Sequence, residues 1–130
     1  MKPFFNLNKL FIASVFLIAA TTLYSCKKEG TGGKATVNGY VKHHSNPIPN
    51  AIVYIKYGAT EFPGNDVSIY DNHVTADANA HYEFKDLRKG DYYLYGVGYD
   101  ATIFEAVKGG IGIQLKRNNT VTSDVPVTEG

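Results

Sequence analysis

The sequence has no tryptophan, one methionine and a single cysteine, Cys26. A lone cysteine excludes an intramolecular disulfide, a four-cysteine zinc site and a C-x-x-C redox pair. Charge is nearly balanced: 13 Lys+Arg against 12 Asp+Glu, with 4 His, give a net charge of +1 over 130 residues. That balance excludes both the basic footprint of a dedicated nucleic-acid binder and an acidic solvating tail. No uninterrupted apolar run reaches the roughly 20 residues needed to span a bilayer as a helix. Beyond Cys26 no window of a dozen residues places apolar side chains at i, i+3, i+4 and i+7, so amphipathic helix is missing as well. There is no G-x-S-x-G elbow, no P-loop and no H-E-x-x-H zinc motif. What is present, 44% hydrophobic and 19% charged residues, is a globular composition sized for one domain.

The N-terminus is unlike the rest. Lys2 and Lys9 stand without acidic neighbours, and Leu10–Ala20 is apolar except for Ser14. A short apolar core behind a basic start, ending at small residues, is the pattern of a secretory signal peptide. Its ending, Leu23-Tyr24-Ser25-Cys26, resembles the bacterial lipoprotein lipobox, with Leu at −3, a small residue at −1 and the Cys; Tyr24 departs from the usual small residue at −2. The resemblance implies a thioether-linked diacylglyceryl group on Cys26, cleavage before it and acylation of the new amine. Two or three chains make a stable tether where one chain is marginal. Residues 1–25 are accordingly expected to be a cleaved signal peptide. Residues 26–34, with Lys27-Lys28-Glu29-Gly30-Thr31-Gly32-Gly33-Lys34 after the cysteine, are expected to be the lipidated Cys and a flexible tether. The charged stretch is also similar to the surface-export signal of Bacteroidetes lipoproteins. The expected location is the cell envelope, at the outer membrane, with surface and periplasmic faces both open.

Removing residues 1–25 leaves 105 residues with 11 basic and 12 acidic side chains, because Lys2 and Lys9 leave with the signal. From Ala35 the pattern is period two with turn punctuation. Ala35, Val37, Gly39 and Val41 alternate with Thr36, Asn38, Tyr40 and Lys42, as in a half-buried strand. Further strands are predicted at Ala51–Tyr57, Val67–Tyr70, His73–Asp77, Ala80–Asp86, Asp91–Tyr99, Thr102–Val107, Ile111–Lys116 and Val121–Val127. The turns between them carry Pro47, Pro49, Pro63-Gly64, Asp77-Ala78-Asn79, Lys89-Gly90, Gly109-Gly110 and Asn118-Asn119. Counting Val67–Tyr70 and Thr102–Val107 as at most one strand between them, seven or eight short strands with turns at this spacing predict an all-β antiparallel sandwich over residues 35–130.

The run Val37-Asn38-Gly39-Tyr40-Val41, Pro47-Ile48-Pro49-Asn50-Ala51, Val74-Thr75-Ala76-Asp77, Asn79-Ala80-His81-Tyr82-Glu83-Phe84, Leu87 and Lys89-Gly90-Asp91-Tyr92-Tyr93-Leu94 resembles the carboxypeptidase regulatory-like domain family. The resemblance implies a prealbumin-like sandwich of Greek-key type and covers about residues 35–127. Two departures are Ala80, where the family usually has Gly, and a longer Gly58–Asn72 connection. The motifs specify fold rather than activity. The family's catalysis belongs to a separate domain that this sequence does not contain. A small transthyretin-like hydrolase is a further reading, but its Tyr-Arg-Gly-Ser ending is not found here.

The expected role is therefore non-catalytic: a partner-binding or structural module held at the membrane through Cys26, a monomeric domain with an envelope protein or glycan as partner and no cofactor. If Tyr92 and Leu94 face the core, Tyr93 and Tyr95 face away, as do Tyr54 and Tyr40 on their strands. Tyr40, Tyr54, Tyr93 and Tyr95 are the candidate binding face, and an alternative function is carbohydrate binding by it. The competing expectation is that the Gly58–Asn72 segment covers these rings through Phe62, Ile69 or Tyr70. No metal site is expected. His43 and His44 are neighbours that would point to opposite faces of a regular strand. His73, Asp77 and His81 could approach across a hairpin but read better as solvated. Asp77-x-Asn79-x-His81 begins like a calcium loop, with Tyr82 where that loop needs Gly.

Overall fold

Small and β-branched residues alternating with polar ones build the first strand and set the layout of the rest. Residues 28–130 are described by a computed structural model, so the signal-peptide and Cys26 expectations lie outside the described residues. Strand β1 runs Thr31–His43. Ala35, Val37 and Val41 are fully buried along it, while Lys34 and Tyr40 face solvent. It starts earlier than composition suggested. Thr31–Lys34, assigned to the tether, already belong to the strand, and Thr31 and Ala35 both pair with Leu87. Gly-rich sequence reads as flexible coil, but here its backbone groups find partners. The Arg88 amide donates to the Gly30 carbonyl at 2.8 Å, and the Gly30 amide donates to the buried Tyr92 hydroxyl at 2.8 Å.

The remaining strands are β2 (Asn46–Pro47), β3 (Ile52–Tyr57), β4 (Asn72–Thr75), β5 (His81–Leu87), β6 (Gly90–Asp100), β7 (Glu105–Leu115), β8 (Thr120–Thr122) and β9 (Val125–Glu129). The order is β2-β1-β9-β7-β6-β3-β4, with β5 and β8 also paired to β1. The protein is all-β and mostly antiparallel, the exceptions being β1 with β8 and β1 with β9. Among the described residues nine strands stand where seven or eight are expected. The last segment divides in two at Ser123–Asp124, where the Ser123 amide donates to the Asn38 carbonyl at 2.8 Å and Asp124 Oδ1 accepts from the Tyr40 amide at 3.0 Å. Conversely, the two strands expected across Gly109-Gly110 are one. Both glycines sit in the ladder, opposite Gly96 and Tyr95. Val67–Ile69 is a 3-10 turn rather than a strand, because Asp66 caps it by accepting from the Ser68 amide.

The core lies inside the curl of the sheet. Tyr82 and Phe84, two residues apart on β5, point into it together with Leu87, and Tyr92 and Leu94 continue the inward row on β6. The turn before β5 is closed by Asp77, whose Oδ1 accepts from the Asn79 amide at 2.8 Å and the His81 amide at 2.9 Å. Ala80, buried, has φ +66°, so alanine adopts the left-handed conformation that glycine usually serves. The His81 amide, and then the Asn79 amide, hold the Asp77 carboxyl below its ordinary value. A carboxylate whose pKa is depressed on folding stabilises fully above its unfolded value, about 3.9, and loses that contribution as pH falls through the lower folded value. Asp77→Asn keeps the acceptor oxygen and removes the titration. In urea unfolding followed from about pH 5 to about pH 2, wild type is expected to lose stability more steeply than Asp77→Asn; parallel profiles would remove this role for Asp77.

Candidate functional site

The tyrosine face divides. Period two sends Tyr93 and Tyr95 of β6 away from the core, next to Tyr54 of β3, which pairs with Tyr95. They do not reach solvent: Tyr93 is 9% and Tyr95 is 3% exposed. The connection between β3 and β4 folds over them. Tyr70 stacks on Tyr95 with ring centres 5.5 Å apart and planes 14° apart. Phe62 lies 5.5 Å from Tyr95 and 6.0 Å from Tyr93. The Tyr95 hydroxyl donates to Asn65 Oδ1 at 3.2 Å, and the Tyr70 hydroxyl to the Gly64 carbonyl at 2.9 Å. Under this cover burial, then the neighbouring Tyr95 and Tyr93, pushes the Tyr70 phenol up to about 12. Gly112 makes the approach possible, since a Cβ there would stand 2.3 Å from the Thr60 carbonyl oxygen. Of the expected coverers, Phe62 and Tyr70 lay their rings against these tyrosines, Phe62 keeping its outer side in solvent. Tyr54 is half-buried against Tyr70 and His73. Tyr40 is elsewhere, on β1 beside β5, edge-on to His81 at 5.3 Å. The four rings therefore do not form one open platform; a second layer occupies the outer face of β6.

Two ends of the fold carry the remaining functional chemistry. At the first, Glu29 and Gly30 meet Gly90, Asp91 and Tyr92. A cleft of about 470 Å³ opens there, lined by Lys34, Arg88, Lys89 and Arg117, and Lys116 borders an adjoining hollow. The ion pairs among the described residues involve none of these five cations. The convergence is hidden in the sequence, because Lys34 and Arg117 come from segments distant from Arg88 and Lys89.

The second end is the far end of β6, roughly 30 Å away along its 11 residues. Here Asp100 Oδ1 accepts from the Thr102 amide at 2.9 Å and the Thr102 hydroxyl at 2.6 Å, shaping the β6–β7 turn. The turn leaves Ile103 44% and Phe104 79% exposed, with Phe104 at φ +56°. Tyr99 beside them is half-exposed. Behind this tip His43 is buried. Its Nδ1 lies 2.8 Å from Asp100 Oδ2, and its Nε2 faces the Glu129 carboxylate. The hydrogen bond with Asp100 raises the His43 pKa, burial opposes that, and Glu129 adds to the rise. The Thr102 hydroxyl, then His43, lowers that of Asp100. Within a regular strand His44 would point to the opposite face. It does not, because β1 ends at His43 and His44 takes φ +55° in the turn, bringing the two rings to 4.6 Å. The signal in the sequence was the period itself: counting inward from Val37 through Val41 arrives at His43, a polar residue that needs buried partners. Neither His73 nor His81 belongs to the group.

Among the described residues no helix is long and apolar enough to cross a membrane. No protein family matches the chain, and no curated protein does. A solved structure it is similar to is GBS52, the minor pilin of the Gram-positive pathogen Streptococcus agalactiae, at 14% identity and a TM-score of 0.44. The match covers 79% of this chain and 45% of that one, so the chain spans less than half of that structure's length.

Proposed function

We propose that the chain is a non-catalytic lipoprotein of the cell envelope, anchored in the outer membrane through lipid on Cys26, whose β-sandwich presents its far end to a protein partner. The observation that carries this reading is the pinning of Gly30 by Tyr92 and Arg88. Only residues 27–29 then separate the lipobox cysteine from the folded domain, a reach of about 13 Å even when extended. So short a tether sets the end bearing Lys34, Arg88, Lys89, Lys116 and Arg117 against the headgroups. Cations near an anionic surface contribute about 1 kcal/mol each. The same geometry directs Ile103 and Phe104 outward. An apolar pair on a strained turn, exposed and away from the anchor, suits contact with another protein. The resemblance to carboxypeptidase regulatory-like domains is kept as part of this proposal. Carbohydrate binding is not carried forward, because Tyr93 and Tyr95 have no open ring face to offer a sugar.

Cys26→Ser is expected to move the protein from the membrane fraction to the soluble fraction, on the order of a complete shift, since stable anchoring requires the acyl chains. Retention of Cys26→Ser in the membrane fraction would remove the lipoprotein reading. The partner role is tested separately, by photo-crosslinking from position 104 in intact cells. A reproducible adduct lost in Ile103→Ser supports it, and none above background leaves a passive spacer.

A further inference from the structure

We propose that His43, His44 and Glu129 bind a divalent transition-metal ion of the zinc class at the end of the fold opposite the anchor. The inference goes beyond the envelope role and does not depend on lipidation. It begins with Asp100. Its carboxylate can only accept, so the 2.8 Å contact assigns the hydrogen to His43 Nδ1 and leaves Nε2 of the neutral ring with its lone pair. That nitrogen is buried and has no hydrogen-bond partner in suitable geometry, and it is aimed at the Glu129 carboxylate. Two acceptors in contact, the His43 nitrogen buried and the Glu129 carboxylate open to solvent on its outer side, call for a shared cation. A proton would serve that pair alone; a metal ion would also engage His44, which the two-residue turn between His43 and Asn46 sets beside it.

His44 supplies the third donor. Its left-handed backbone swings the imidazole to the same side as His43, and one ligand atom from each of His43, His44 and Glu129 lies within 4.8 Å of the others. Both His44 and Glu129 are exposed, so an ion can enter and both side chains can adjust around it. Two imidazoles and one carboxylate are the donor set of three-ligand zinc sites, which keep a fourth position for water. Calcium and magnesium take oxygen donors instead. Asp100 has the outer position typical of such sites, a carboxylate fixing the ring through the other nitrogen, and Thr102 in turn fixes Asp100. Because Glu129 belongs to β9 and Asp100 to β6, a bound ion would join the C-terminal strand to the tip bearing Phe104.

The test is a titration of zinc chloride into the full chain in detergent, carrying Cys26→Ser so that the thiol does not compete, read by calorimetry and by competition with a chromophoric chelator. One zinc per chain is expected. His44→Ala and Glu129→Gln are expected to weaken binding by at least about tenfold, and Asp100→Asn by roughly 10- to 100-fold, as outer-sphere carboxylates do. His73→Ala and His81→Ala are expected to bind as the parent does. His44→Ala is the deciding variant, because an exposed side chain with no hydrogen bond can be removed while the apo protein keeps its melting temperature. Cobalt substituted for zinc should give the visible absorption of a four-coordinate ion in the parent and lose it in His44→Ala. No binding by the parent at about 100 μM zinc, a limit of about Kd 10⁻⁴ M, would overturn the proposal and leave a protonated His43 between two carboxylates. Binding unchanged in His44→Ala would overturn it equally.

Discussion

Tyr95→Ala is expected to lower the free energy of unfolding by about 3–5 kcal/mol, the range for truncating a fully buried aromatic residue. Tyr95 is 3% exposed and touches Tyr54, Tyr70 and Phe62, so its removal opens a cavity between β6 and the covering loop. Neighbouring rings relax only partly into such a space, and the loop loses its central support. Tyr95→Phe separates the contributions. It removes only the bond to Asn65 at 3.2 Å and should cost about 1 kcal/mol. Tyr40→Ala, at a ring 41% exposed, should stay within about 0.5 kcal/mol, as surface substitutions do. Urea midpoints with unchanged slopes give all three values. An exposed tyrosine platform makes the opposite prediction, a variant of normal stability with altered binding only. A Tyr95→Ala midpoint equal to wild type would mean that the loop does not pack on this face.

That contrast shows what period two can and cannot reveal. Alternation identified which residues of β1, β3, β5 and β6 leave the core, and Tyr82, Phe84, Leu87, Tyr92 and Leu94 lie inside as expected. It is silent on what else rests on the other face, because that depends on a loop whose own sequence is aperiodic. A hint was present. Tyr92–Gly96 are buried without interruption, and a strand covered on both sides reads as a continuous apolar run rather than an alternating one. The start of β1 was hidden for a different reason. Gly32 and Gly33 lower strand propensity, yet Leu87 and Arg88 supply backbone partners from far along the chain. The His43 cluster was obscured by a rule applied one residue too far: neighbours point apart within a strand, and His44 is already in the turn. The basic cleft was invisible because its cations are far apart in the sequence.

Gly39→Ala is expected to cost about 3 kcal/mol or more, at or beyond the upper end of overpacking penalties. A Cβ at position 39 would stand 2.0 Å from the Ser123 carbonyl oxygen. That oxygen belongs to backbone and cannot rotate away as a side chain would. It is held from both sides: the Ser123 amide donates to the Asn38 carbonyl, and the buried Tyr82 hydroxyl donates to the Ser123 carbonyl itself. Moving it by the necessary ångström or more disturbs the corner between β8 and β9, and with it the pairing of both to β1. Against a total stability of roughly 5–15 kcal/mol for a small domain, the loss is a large fraction. Tyr82→Phe, which removes only the hydroxyl, should cost about 1–2 kcal/mol by leaving that carbonyl one bond short. The two changes act on the same oxygen. In Gly39→Ala the carbonyl has already been pushed away from Tyr82, so adding Tyr82→Phe should cost less than it does alone, with a coupling of at least about 0.5 kcal/mol. Strict additivity would show that the corner stays in place and that the chain absorbs the added methyl by shifting β1 instead.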